Sequence, residues 1–215
     1  MGYYSPQTNR VALFDQADGS AAAAETSPAP RDDEFQAVGP FAIRPAWAVV
    51  DTDTKDTLYH EGTHQLAFNT GLHSRVGEVP QWVVEGMATV FEAPGIRNSS
   101  ANLGPKTRIN HDRYVWFGNF QKSRRKQKSL EAFIAGDEMF QSSTLDAYSQ
   151  AWAFTFFLAE TRSRQHAKYL HTIAARNPLA DYPAADRVSD FKQAFGSNLA
   201  QLEAEFLRFT STGIK

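Results

Sequence analysis

The sequence contains no cysteine. That single absence excludes a disulfide framework, a thiolate-ligated zinc site and a thiol nucleophile, so any metal must be held by His, Asp or Glu. An excess of either charge is also missing. The 22 Lys and Arg stand against 24 Asp and Glu, a formal net charge of −2, which removes the general electrostatic case for a nucleic-acid partner. No apolar run approaches the ~20 residues needed to span a bilayer. The opening Met1-Gly2-Tyr3-Tyr4-Ser5-Pro6 has neither the basic flank nor the apolar stretch of a signal peptide. The chain is therefore expected to be cytoplasmic, or extracytoplasmic after trimming from a longer precursor. What is abundant is core material: 42% of residues are hydrophobic, among them 16 Phe, 7 Tyr and 4 Trp. That is enough for one domain over residues 1–215.

The pattern along the chain predicts an α+β, mainly helical fold with a small N-terminal β-sheet and a C-terminal helical bundle. Gly2-Tyr3-Tyr4 and Val11-Ala12-Leu13-Phe14 flank a turn over Ser5 to Asn9, a hairpin signature. A flexible Ala/Pro-rich insertion is expected at about 15–34. Phe41 to Val50 is apolar but interrupted by Pro45, a weak strand. A helix is expected from about Thr54 to Asn69, capped by Thr52 or Asp53 and stopped at Gly71. A second should run from Pro80, in its first turn, to Phe91. Residues 97–127 are mixed and give no clear element. Ser143 or Thr144 should cap one long helix reaching Ala174, with Leu145, Tyr148, Trp152, Phe156 and Ala159 on its apolar stripe. Val188 to Phe195 and a helix capped by Asn198, with Gln201 completing a capping box, close the chain. Leu199, Leu202, Phe206 and Phe209 form the apolar face of this last helix.

The chemistry lies in His60-Glu61-Gly62-Thr63-His64, an H-E-x-x-H pattern on the first helix. Four residues apart, the imidazoles stand about 40° from each other on adjacent turns and can reach one ion. Glu61 beside them can take a proton from a water that the ion activates. From Thr57 to Phe68 Glu61 is the one charged residue, and from Gln81 to Phe91 Glu85 is. Apolar residues run right round both helices, so both are expected to be buried. An unpaired buried carboxylate costs several kcal/mol, which a divalent metal offsets. His60, His64 and Glu85 would then be three protein ligands with a fourth position open, the pattern of a catalytic Zn2+ site. Glu92, seven residues after Glu85, faces the same way and could orient a ligand.

H-E-x-x-H, twenty intervening residues and then Trp82-Val83-Val84-Glu85-Gly86-Met87-Ala88 resemble the gluzincins, the thermolysin-like zinc metallopeptidases of the MA clan. A bacterial branch of that clan, a domain of unknown function, is more similar still. It shares the opening Gly2 to Phe14, the segment Tyr148-Ser149-Gln150-Ala151-Trp152 and the closing Phe195-Gly196-Ser197 to Phe209. The resemblance implies a zincin fold and a peptide or protein substrate, with His60, His64 and Glu85 as zinc ligands and Glu61 as general base. Nothing before His60 matches the G-x-M-E-N element of gluzincin aminopeptidases, so an endopeptidase is favoured.

An oxyanion donor is needed, and Tyr148, Tyr114 and His111 are candidates, with Tyr148 preferred. The strand Val11 to Phe14 could bind an extended peptide by edge pairing. Two other functions fit the same residues: a zinc-bound binding or scaffold module without turnover, and a zinc hydrolase of a non-peptide amide. His73, His166 and His171 are expected at the surface. The run Lys122, Arg124, Arg125, Lys126, Lys128 reads as a solvated loop, and Trp152, Phe154, Phe156 and Phe157 as core.

Overall fold

The computed structural model describes residues 2–13 and 52–213. The insertion expected at 15–34 and the strand expected at Phe41–Val50 lie outside the described residues. Within them the protein is mainly helical, with one small antiparallel sheet. No described helix is long and apolar enough to cross a membrane.

Strands β1 (Gly2–Ser5) and β2 (Arg10–Leu13) form the expected hairpin, with Gly2 opposite Leu13 and Ser5 opposite Arg10. Asn9 closes the turn at φ 56°, a conformation its short polar side chain tolerates. Its N–H donates to Ser5 O at 2.8 Å. The hairpin lies on helix α1 (Thr52–Asn69): the Tyr4 and Phe68 rings are 5.6 Å apart, and Gln65 Nε2 donates to Asn9 O at 3.1 Å. The left-handed Gly71, at φ 76°, follows the end of α1 as expected.

Burial on all sides of α1 is not what is found. Among the described residues it packs chiefly on the hairpin and α2 (Gln81–Phe91). They leave Leu58, Tyr59 and Leu66 exposed, Leu66 by 65%. The Arg97 guanidinium covers Tyr59 from 3.9 Å.

Helix α2 is enclosed as expected, apart from Phe91. Pro80 caps it rather than occupying its first turn, and the free N–H of Gln81 donates instead to Asp137 Oδ1 at 2.9 Å. Short helix α3 (Pro94–Arg97) and two 3-10 turns lead to α4 (His111–Ser123), so the ambiguous stretch contains a real helix. Helices α5 (Leu130–Ala135) and α6 (Glu138–Ser142) precede α7 (Thr144–Thr161), the central helix, from which Trp152, Phe154, Phe156 and Phe157 fill the core. Gly86 is where α2 meets α7. A Cβ there would clash with Thr155 Oγ1 and stand 2.8 Å from Ala151 O.

The helix expected to run from 144 to 174 is two. It breaks at Arg162 (φ −142°), and α8 (Ser163–Ala174) turns away to pack on α9 (Ala184–Phe195). The sequence Arg162-Ser163-Arg164-Gln165 has no apolar side chain with which to continue α7 through the core. Gly196, at φ 97°, ends α9 before α10 (Leu199–Arg208). The Asn198 side chain caps α10 by accepting from Gln201 N at 3.0 Å. Gln201 does not return the bond to the cap's backbone; its amide donates to Glu205 at 2.9 Å.

In the basic run Lys122, Arg124, Lys126 and Lys128 are exposed as expected, and Arg125 is the exception. Arg124 donates from Nη2 to Asp146 at 2.6 Å, and Arg125 is buried between Glu203 at 2.5 Å and Gln150 at 3.0 Å. Arg125 therefore ties the end of α4 to α7 and α10 away from water, while Arg124 pairs with Asp146 at the surface.

Candidate metal centre

Helix α1 presents His60 and His64 one turn apart, and α2 presents Glu85 opposite them, because Gly86 lets α2 settle against α7. Their side chains are largely enclosed, 12%, 9% and 12% exposed respectively. Nε2 of His64 stands 3.1 Å from Nε2 of His60; Glu85 Oε2 is 3.2 Å from the first imidazole's Nε2 and 3.5 Å from that of His64. These three atoms form the group that could hold a metal ion. A point equidistant from atoms so spaced lies about 1.9 Å from each, just inside zinc bond lengths of about 2.0–2.1 Å.

Glu85 Oε2 supplies a second test of fit. It is buried and has no hydrogen-bond partner of regular geometry. It is near enough to both imidazoles for charge attraction, at 3.2 and 3.5 Å. Two imidazole nitrogens and one carboxylate oxygen make a donor set suited to zinc.

Around this triangle the titration behaviour is distorted. Burial alone would lower the His60 pKa, yet Glu85 and Glu92 outweigh it and raise it to about 9. Burial alone would raise Glu85, but its contacts with His60 and His64 hold it at about 2. Both shifts favour a proton on His60 between the two carboxylates. Glu61 is buried and its pKa is raised chiefly by that burial; the two imidazoles and a hydrogen bond from the Tyr4 backbone N–H oppose the rise.

Glu92, at the end of α2, accepts from His60 Nδ1 at 2.7 Å. Its other oxygen accepts from Asn110 Nδ2, and the same amide donates to Thr89 O at 3.2 Å. The proton is assigned to Nδ1 because a carboxylate only accepts, which leaves Nε2 directed at the triangle.

Of the three oxyanion candidates, Tyr148 is the one at the site. Its ring stacks near His60 with centroids 6.3 Å apart, and its hydroxyl feels the Glu85 carboxylate. Burial first, then the Glu85 charge, pushes its pKa well above the usual tyrosine value, so the hydroxyl remains a donor. Tyr114 packs instead on Trp152, 6.3 Å between centroids, and His111 is exposed at the start of α4.

His73 is not at the surface. It is 2% exposed, lies edge-on to Phe68 at 5.4 Å, has no partner for either ring nitrogen, and burial lowers its pKa to about 4. His166 is half-buried, with its pKa also lowered to about 4 by burial, whereas His171 is exposed. Asn110 and Arg113 were not anticipated from the sequence. The cap signal of Asn110 ahead of His111-Asp112-Arg113 could have found the first, and nothing in the pattern pointed to the second.

One helical turn from Tyr148, α4 and α7 frame a cavity of about 420 Å³ walled by Trp116, Asn119, Leu145 and Asp146. The candidate ligands do not line it.

Residues 54–180 match the family described as Protein of unknown function (DUF1570), and the chain belongs to that family. The matched region contains His60, Glu61, His64, Glu85, Glu92 and Tyr148. No curated protein and no solved structure matches the chain.

Proposed function

We propose that this chain is a zinc-dependent metallohydrolase of gluzincin type, acting on peptide bonds within a peptide or protein. The observation that carries the reading is the triangle of His60 Nε2, His64 Nε2 and Glu85 Oε2, with sides of 3.1, 3.2 and 3.5 Å. Tetrahedral zinc ligands stand about 3.3 Å apart, so this spacing suits one ion. Zinc held there would supply a Lewis acid and bring the pKa of a water down to about 7.

The protein's own residues do the rest. Glu92 and Asn110 fix the His60 ring so that Nε2 stays directed inward. Glu61, its pKa raised by burial, accepts a proton from the attacking water and later returns it to the leaving amine. Tyr148 keeps its proton through the neutral range and donates to the oxygen on which negative charge develops.

The test is a mixed peptide library incubated with the zinc-loaded protein, with and without a chelator, and read by mass spectrometry. Internal cleavage that stops with chelator and resumes on adding zinc is expected. No cleavage of any member would leave a zinc-holding module without turnover.

A further inference from the structure

Buried guanidinium groups need acceptors, since a desolvated cation without one is costly. Among the described residues, Arg97, Arg108, Arg125, Arg162, Arg176 and Arg187 are buried or half-buried, and each is paired with an Asp or Glu. Arg113 is half-buried too, and among the described residues its side chain meets the Tyr148 ring and no carboxylate. Its guanidinium carbon stands 5.4 Å from the ring centroid of Tyr148, the ring that lies 6.3 Å from His60.

Its position is tied to the candidate metal centre. The Arg113 N–H donates to Asn110 Oδ1 at 3.2 Å, and the amide of that same asparagine holds Glu92, which holds His60. No Lys or Arg occurs from Thr57 to Phe68 or from Gln81 to Phe91, the stretches that carry the rest of the site. Among the described residues, a group that binds beside Tyr148 therefore meets a cation that no carboxylate neutralises. Its natural complement is an anion with paired oxygens, a carboxylate, which a guanidinium can hold with two parallel hydrogen bonds.

We propose that Arg113 is a specificity residue that takes a carboxylate of the substrate, an inference that rests on the peptidase reading of the neighbouring site. An extended peptide advances about 3.4 Å per residue, so the carboxylate would lie within a few residues of the bond attacked. Two groups carry that chemistry, the peptide's own C-terminus and an acidic side chain.

Binding separates these sources without requiring turnover. Three fluorescein-labelled hexapeptide pools would be titrated by anisotropy against the zinc-loaded chain carrying Glu61→Gln. One pool has neutral side chains and a free C-terminus, one is neutral and amidated, and one is amidated with a single Glu. Expected is binding about tenfold tighter for one acid-bearing pool than for the neutral amidated pool. The free C-terminal pool winning assigns the carboxylate to the chain end, and the Glu pool winning assigns it to an acidic side chain. Adding Arg113→Gln should remove the preference with zinc content and thermal unfolding unchanged, and Arg113→Lys should keep part of it.

Equal binding of the three pools, no binding of any, or a preference that survives Arg113→Gln would overturn the proposal. Intact discrimination by a chain whose unsubstituted form cleaves nothing would count against the peptidase reading alone.

Discussion

The Glu92 carboxylate, 2.7 Å from His60 Nδ1, links the end of α2 to the middle of α1. It does so seven residues after Glu85, on the same side of the helix. One helix therefore offers a candidate ligand and the group that orients another. Removing such an orienting carboxylate typically weakens metal binding about 10–100-fold. Glu92→Gln is expected to lower zinc affinity by that range, and Asn110→Ala to lower it less, in competition titrations with a chromophoric chelator. Unchanged affinity in both would show that His60 needs no such support.

Zinc binding should release protons. In the metal-free protein His60 has its pKa raised to about 9 and Glu85 has its pKa lowered to about 2. The His60 contribution to metal-free stability is present in full below pH 6.5, the unshifted value, and is lost as pH rises through about 9. That of Glu85 is present above about 4.5 and is lost as pH falls towards 2. The ion displaces the His60 proton, so about one proton should leave per zinc at neutral pH, and affinity should rise with pH until about 9. Calorimetry in buffers of different ionisation enthalpy measures this directly. Zero proton release would mean that His60 is neutral before the metal arrives.

Gly86→Ala tests how α2 is seated. The new methyl would meet Thr155 Oγ1 and come within 2.8 Å of Ala151 O, a backbone atom that cannot swing aside. Overpacking of this kind costs about 1–3 kcal/mol. Thermal unfolding of the metal-free chain should fall by several degrees, and because Glu85 adjoins the clash, zinc affinity should fall with it. Lower stability with unchanged zinc affinity would separate the seating of α2 from the candidate metal centre.

Glu61→Gln and Tyr148→Phe should both spare metal content and damage turnover, in different ways. The first removes the proton acceptor and should abolish measurable cleavage. The second removes one donor to the developing oxyanion and should lower kcat about 100–1,000-fold with little change in KM. Either variant cleaving at the parent rate would remove that residue from the chemistry.

The part of this arrangement legible in the sequence is the part set by helical spacing. His60 and His64 share a face because four residues make slightly more than one turn, and Glu85 stood out as the one charge in an otherwise apolar helix. Lack of charge was a poorer guide to depth. It described α2 well, but α1 has too few neighbours among the described residues to cover Leu58 and Leu66.

His73 was misjudged because its burial comes from a turn that folds back on α1, its N–H reaching Ala67 O at 3.1 Å, and no helical spacing reports that. Asn110 and Arg113 were hidden in a stretch where polar and apolar residues alternate without period. Their contacts are with Glu92 and Tyr148, far from them in sequence.

The most direct measurement is a crystal structure of the zinc-loaded chain with anomalous data collected on both sides of the zinc absorption edge. Expected is one anomalous peak within about 2.0–2.2 Å of His60 Nε2, His64 Nε2 and a Glu85 oxygen, with the fourth position free of protein. Zinc bound elsewhere, or a Glu85 carboxylate turned away from the two imidazoles while zinc saturates the protein, would contradict it.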